Sequence, residues 1–259
     1  MSINNLEKLG LTRQPQVEQA MTWLVENGPL HQDPELPHWM LRQLVRAERV
    51  ARLRRGLYLA PTPTGRLPGL PAVGQMLAPD GYLSFYGAIT LHGLTDQDAA
   101  LWAMVTKAPQ AAIRYGQLRL AFVPWPARVR DAAVQKLRID GVRVRLATPV
   151  QAFSDCLEAP RYGPSAPELL HVLRDGLSLG KLSERGLIAH ALEIDSSVLA
   201  RRLGLLLELA TGKIEPRLHA IATRSHNWTR FDDRDAKERD SRWRLLLPRS
   251  REDILVAAR

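Results

Sequence analysis

Apolar residues recur at helical spacing along residues 15–27. Val17, Ala20, Met21, Leu24 and Val25 fall at i, i+3, i+4, i+7 and i+8, which predicts one buried helix face. Pro15 suits a first helical turn, and Gly28 with Pro29 stops the run. Pro34 and Pro37 then break the pattern and leave room for at most a short helical turn. A second helix is predicted from Leu36–His38 to about Ala47, with Met40, Leu41, Leu44 and Val45 on its buried face. His38, Trp39, Arg42, Gln43 and Arg46 lie largely on the other side. Arg49 to Leu53 reads as a strand, Arg54-Arg55-Gly56 as a tight turn and Leu57 to Ala60 as a returning strand.

The apolar rhythm stops over residues 61–74, which hold Pro61, Pro63, Gly65, Pro68, Gly69, Pro71 and Gly74. This punctuation predicts a linker and a domain boundary, with one unit at 1–63 and another at 67–259. Beyond it, Ser84 is placed to cap a helix running to about His92, ended by Gly93. Leu101–Thr106, Leu118–Val123 and Val142–Ala147 read as strands. Thr148 and Pro149 open a helix to Leu157, and further helices are expected at Ala166–Leu177, Ser183–Leu192 and Ser196–Ala210. Trp243–Leu247 suggests a last strand, and Arg224–Asp240, dense in both signs of charge, a solvated loop. The expected fold class is α+β: an N-terminal winged helix-turn-helix followed by a larger mixed domain.

Charge changes this picture because it is uneven. The 259 residues carry a formal net charge of +9. Arginine supplies nearly all the positive charge, as GC-rich codon usage alone would produce. Codon usage would spread it, however, whereas residues 38–66 hold Arg42, Arg46, Arg49, Arg52, Arg54, Arg55 and Arg66 against Glu48 alone. Such a stripe beside a helix is the electrostatic footprint of a nucleic-acid site. Residues 111–146 are basic too, with Arg114, Arg119, Arg128, Arg130, Lys136, Arg138, Arg143 and Arg145 against Asp131 and Asp140. That block fits either a sheet edge protected by charge or an extension of a nucleic-acid surface.

Helix, short connection, helix and basic hairpin is the order of a winged helix-turn-helix. A recognition helix fits the major groove of duplex DNA, where Arg pairs with guanine and Gln with adenine. Arg42, Gln43 and Arg46 suit base edges, while Arg49, Arg52, Arg54 and Arg55 suit phosphates. His38 and Trp39 begin the same face, and Trp39 fits either stacking on nucleic acid or the core beside Met40 and Leu41.

These residues resemble a known family. Leu41-Arg42-Gln43-Leu44-Val45 with Val50-Ala51-Arg52-Leu53-Arg54-Arg55-Gly56-Leu57-Tyr58-Leu59 is similar to the wing of the AbiE-type abortive-infection antitoxins. The run from Tyr82 to Thr95, the junction Val144–Asp155 and the helix around Leu199-Ala200-Arg201-Arg202-Leu203-Gly204 resemble later segments of that family. Glu48 stands where such helices often end in glycine. The resemblance implies the antitoxin of a type IV toxin–antitoxin system. Its winged helix would bind inverted repeats in its own promoter and repress the operon. Its C-terminal domain would counteract a nucleotidyltransferase toxin without forming a stable complex with it.

Signatures of catalysis are absent. No zinc-protease helix, phosphate-binding loop or dinucleotide fingerprint occurs, so no catalytic residue, metal or cofactor is expected. Cys156, the one cysteine, reads as buried and apolar. Asp232, Asp233 and Asp235 alternate with Arg230, Arg234 and Lys237, a pattern of local charge pairing. No stretch approaches the length of a membrane span, and Met1–Leu11 lacks a signal-peptide core, so a complete cytoplasmic protein is expected. Two alternatives stand beside the antitoxin: a stand-alone winged-helix regulator, and a nucleic-acid-processing enzyme.

Overall fold

The computed structural model describes residues 14–258, except for the side chains of Arg130 and Asp131. The segment Met1–Leu11 lies outside the described residues. The fold is mixed α+β.

The N-terminal part runs α1 (Gln14–Glu26), β1 (Leu30–Gln32), α2 (His38–Arg46), β2 (Ala51–Arg54) and β3 (Leu57–Leu59). The three strands form one antiparallel sheet in the order β1-β3-β2. Val17, Ala20, Met21 and Leu24 of α1 pack on Met40, Leu41 and Leu44 of α2, with Val50, Tyr58 and Ala60 closing the cluster. The proline-broken segment between the helices supplies β1, where His31 is buried with Nε2 2.9 Å from the Leu24 carbonyl.

The hairpin β2–β3 belongs to two cores at once. Tyr58 and Ala60 face the small cluster, whereas Leu53, Leu57 and Leu59 join the main one. The linker expected over 61–74 is therefore shorter than its composition suggests. A helix, α3 (Leu70–Leu77), begins inside it, with Leu70, Ala72 and Val73 buried. Pro71 sits in the first turn, where its missing N–H costs nothing. Gly74 lets the helix backbone approach Met104 and Leu120, which a Cβ would meet at 3.0–3.1 Å. The same residue types that mark a loop here serve helix initiation and close packing.

The second part is built on β4 (Tyr82–Ser84), β5 (Leu101–Thr106), β6 (Ile113–Tyr115), β7 (Leu118–Pro124), β8 (Val134–Ile139) and β9 (Val142–Ala147). They form a six-stranded mixed sheet in the order β6-β7-β5-β4-β9-β8. Helices α4 (Phe85–Leu91), α5 (Pro126–Asp131), α6 (Pro149–Glu158), α7 (Ala166–Ser178), α8 (Glu184–Ile194), α9 (Ser197–Thr211) and α10 (Pro216–Thr223) follow. Thr148 caps α6, as its sequence predicts, and Ser196 caps α9. Ser84 does not cap α4 with its side chain. Its hydroxyl donates to the buried Asp155 carboxylate at 2.6 Å, and the chain turns directly into α4 through Phe85 at φ +58°. Tyr82 and Gln151 also donate to Asp155. Burial pushes that carboxyl above its ordinary range, against the pull of these donors and Arg128.

The chain ends in β10 (Thr229–Arg230), β11 (Glu238–Asp240), β12 (Leu245–Leu247) and α11 (Arg251–Ala257). The segment read as a solvated loop thus contributes two strands and a buried Phe231. Arg201 and Arg202 of α9 hold it down. They donate to carbonyls of Ala222, Ser225, Arg230 and Leu157 and to the Thr229 hydroxyl, so peptide oxygens satisfy two buried guanidinium groups.

Candidate nucleic-acid interface

The apolar rows of α2 fix its orientation, and the polar rows follow from that. With Met40, Leu41 and Leu44 turned into the small core, His38, Arg42, Gln43 and Arg46 are exposed on the opposite side. Among the described residues, none of these four side chains has a hydrogen-bond or ion-pair partner. Trp39 is half-buried against the small core and shares a surface depression with Arg42, Gln43 and Arg46. Trp39 is thus packed on the small core, as one of its two readings from sequence expects, and also borders the polar row.

A groove of about 710 Å³ separates the start of α2 from the hairpin tip. His38 and Arg42 of α2 line it together with Arg52, Arg55 and Tyr58 of the hairpin and Asp33 of the connecting loop. Three arginines against one carboxylate make it electropositive. Gly56 shapes the tip. Its φ is +75°, and an added Cβ would lie 2.1 Å from the Asp33 carboxylate. The Asp33 N–H donates to the Gly56 carbonyl at 2.6 Å, tying the loop before α2 to the hairpin.

The four hairpin-region arginines separate into three roles. Arg49 forms a two-pronged ion pair with Glu18 of α1 at 2.6 and 2.9 Å, which holds the Glu18 carboxyl below its ordinary value. It braces α1 against the end of α2, and its charge is met within the chain. Arg52 and Arg54 lie two apart, yet a bulge between them breaks the alternation. Arg52 pairs opposite Tyr58, whereas Arg54 pairs opposite Leu57. Arg54 consequently turns to the other face, where it donates to the Ala111 carbonyl at 3.3 Å. Arg52 and Arg55 remain exposed on the groove. Glu18 and Asp33 are the members of this site that sequence reasoning missed. Glu18 lies 31 residues from Arg49 and carries no local signal, while Asp33 before Pro34 marks only a turn.

The second basic block divides similarly. Arg114, Arg119, Lys136, Arg138 and Arg143 are exposed on β6, β7, β8 and β9. Arg145 is half-buried and donates to the carbonyls of Asp80 and Gly81. Arg128 is largely withdrawn from solvent: its side chain is 12% exposed, ion-paired with Glu158, 3.7 Å from Asp155, and stacked over Trp125. Buried carboxylates on α6 draw it inward. The Arg130 side chain lies outside the described residues. Elsewhere, Cys156 is fully buried, which pushes its thiol well above the ordinary range. Asp232 is paired with Arg234 at 2.5 and 2.9 Å.

No family model and no curated protein matches this chain. A solved structure, that of the RV2827C protein from Mycobacterium tuberculosis, is similar over 93% of this chain and 92% of that one, with a TM-score of 0.58 and 15% sequence identity. At that identity the likeness shows the fold, across nearly the whole chain.

Proposed function

We propose that this chain binds duplex DNA as a cytoplasmic transcriptional regulator, with α1, α2 and the sheet β1-β3-β2 acting as a winged helix. In this reading α2 enters the major groove. Arg42 and Arg46 pair with guanine edges and Gln43 with adenine, while Arg52 and Arg55 hold phosphates beside it. The observation that carries the reading is the exposed row Arg42, Gln43 and Arg46, unpartnered among the described residues and bordering an arginine-lined groove. The segments that resemble AbiE-type antitoxins extend the reading. The chain would repress its own operon at inverted repeats and counteract a nucleotidyltransferase toxin without a stable complex.

A reporter fused to the DNA upstream of the gene tests the regulatory half. The chain is expected to repress it, and Arg42→Ala/Arg46→Ala to relieve repression at equal protein level. Repression that survives the double variant would remove α2 as the reader. Co-expression with the product of the adjacent gene tests the other half: growth rescue is expected, and growth arrest despite full expression would remove the antitoxin role.

A further inference from the structure

Strand register brings the cations of the second part together in a way their sequence spacing does not reveal. In the antiparallel pair β8–β9, Lys136 lies opposite Arg145, and Arg138 opposite Arg143. Residues two apart share a face, so these four cations form a two-by-two grid on one side of the hairpin. Following register across the sheet extends the pattern. Leu146 pairs with Leu83, Ser84 with Ala103, Leu101 with Arg119, and Arg119 with Arg114. Alternation along each strand therefore places Arg114 and Arg119 on the same face as the grid. Asp155 of α6 reaches Tyr82 and Ser84 at the centre of that face, so the cations flank a covered middle.

Like charges directly opposite one another destabilise a strand pair. Edge protection accounts for Lys136 and Arg138 but not for the rest of the grid. It asks for charge on the edge strand β8, yet Arg143 and Arg145 stand on β9, an interior strand between β4 and β8. Opposite-sign pairs would protect the edge equally well without repulsion. Lys136, Arg138 and Arg143 are exposed and, among the described residues, meet no carboxylate. The one acidic residue of the turn, Asp140, forms no ion pair with the grid among the described residues; its carboxylate accepts from the Gly69 N–H at 2.8 Å. That bond also ties the grid's turn to the segment leaving the β2–β3 hairpin.

We propose that the β8–β9 grid is a second contact for duplex DNA, holding backbone phosphates outside the stretch read by α2. The proposal rests on the reading of α2 as a DNA reader only for the word second. The grid's own affinity for phosphates follows from its three exposed cations, Lys136, Arg138 and Arg143.

The test uses the full chain and a labelled 40-base-pair duplex from the DNA upstream of its own gene, with binding followed by fluorescence anisotropy over a range of salt. Lys136→Ser/Arg138→Ser/Arg143→Ser is expected to weaken binding more than about tenfold at low salt. It is also expected to flatten the slope of log K against log salt by up to about 0.9 per lost contact, leaving sequence preference unchanged. A second variant, Arg143→Glu, places a carboxylate opposite Arg138. It is expected to raise the melting temperature while weakening binding, a combination that misfolding cannot produce. Unchanged affinity and slope in folded variants would overturn the proposal. So would a loss confined to a 40-nucleotide single-stranded RNA probe. Arg42→Ala/Arg46→Ala measured in parallel separates the two claims. If that variant alone loses binding, the grid fails and the α2 reading stands; if the grid variants alone lose it, the reverse holds.

Discussion

Glu48 holds φ at +55°, in the left-handed region that favours glycine. It does so because α2 ends in a complete left-handed cap. The Glu48 N–H donates to the Val45 carbonyl at 3.1 Å and the Arg49 N–H to the Leu44 carbonyl at 3.0 Å. This geometry aims Arg49 at Glu18 and starts β2, so the strain is kept at the joint between helix and hairpin. Glu48→Gly is expected to raise stability by about 1 kcal/mol, or roughly 2–4 °C in melting temperature, with DNA binding intact. Calorimetry checks this, and a lower melting temperature would mean that the Glu48 side chain contributes more than its backbone costs. At the same scale the arginines diverge. Arg42 and Arg46 are exposed, Arg49 and the half-buried Arg128 are ion-paired, and Arg201 and Arg202 are buried. Burial pulls the Arg202 guanidinium down to about 10. One residue type thus supplies a polar surface row, a strut and internal staples. Only the first is visible as a charge cluster in the sequence.

Among the elements, helices with a strong apolar stripe or a proper cap were readable from sequence: α1, α2, α6, α7 and α9 fall close to their predicted ranges. Those missed are short or depend on distant partners. β4 is three residues long and paired on both sides, and β8 alternates weakly because one of its faces carries cations instead of apolar residues. The bulge that separates Arg52 from Arg54 leaves no mark in the sequence, since a strand of four residues reads the same with or without it. The same is true of Gly204 in α9. Its missing Cβ admits Trp243, whose ring would lie 2.1 Å from that atom. Trp243 is fully buried and its indole N–H donates to Glu208 at 2.6 Å, so it has nowhere to retreat. Gly204→Ala is expected to cost roughly 2–3 kcal/mol in chemical denaturation. A loss below about 0.5 kcal/mol would show that α9 and the C-terminal strands can slide apart.

For the whole molecule, the net charge of +9 is a sum over places with different physics. Some of the charge is internal, and some sits on sheet edges. The part concentrated at α2 and the hairpin borders a groove with few compensating carboxylates. The two cores meet at the β2–β3 hairpin, which packs one face on each, so the arginines of the groove are held by the larger core as well as the small one. The sequence suggests a boundary at the proline- and glycine-rich stretch 61–74, and the small cluster draws only on residues before it. The sharing of the hairpin between the two cores was not legible, because it depends on Leu53, Leu57 and Leu59 finding partners far along the chain. The central claim is that this surface reads base sequence. Its most direct test is the affinity of the full chain, at about 150 mM salt, for a duplex from its own upstream region and for a scrambled duplex of equal length. A preference of about 10³-fold or more is expected for the upstream duplex. Arg42→Ala/Arg46→Ala is expected to abolish that preference while leaving affinity for the scrambled duplex nearly unchanged. Equal affinity for the two duplexes, or a preference that survives the double substitution, would contradict the account.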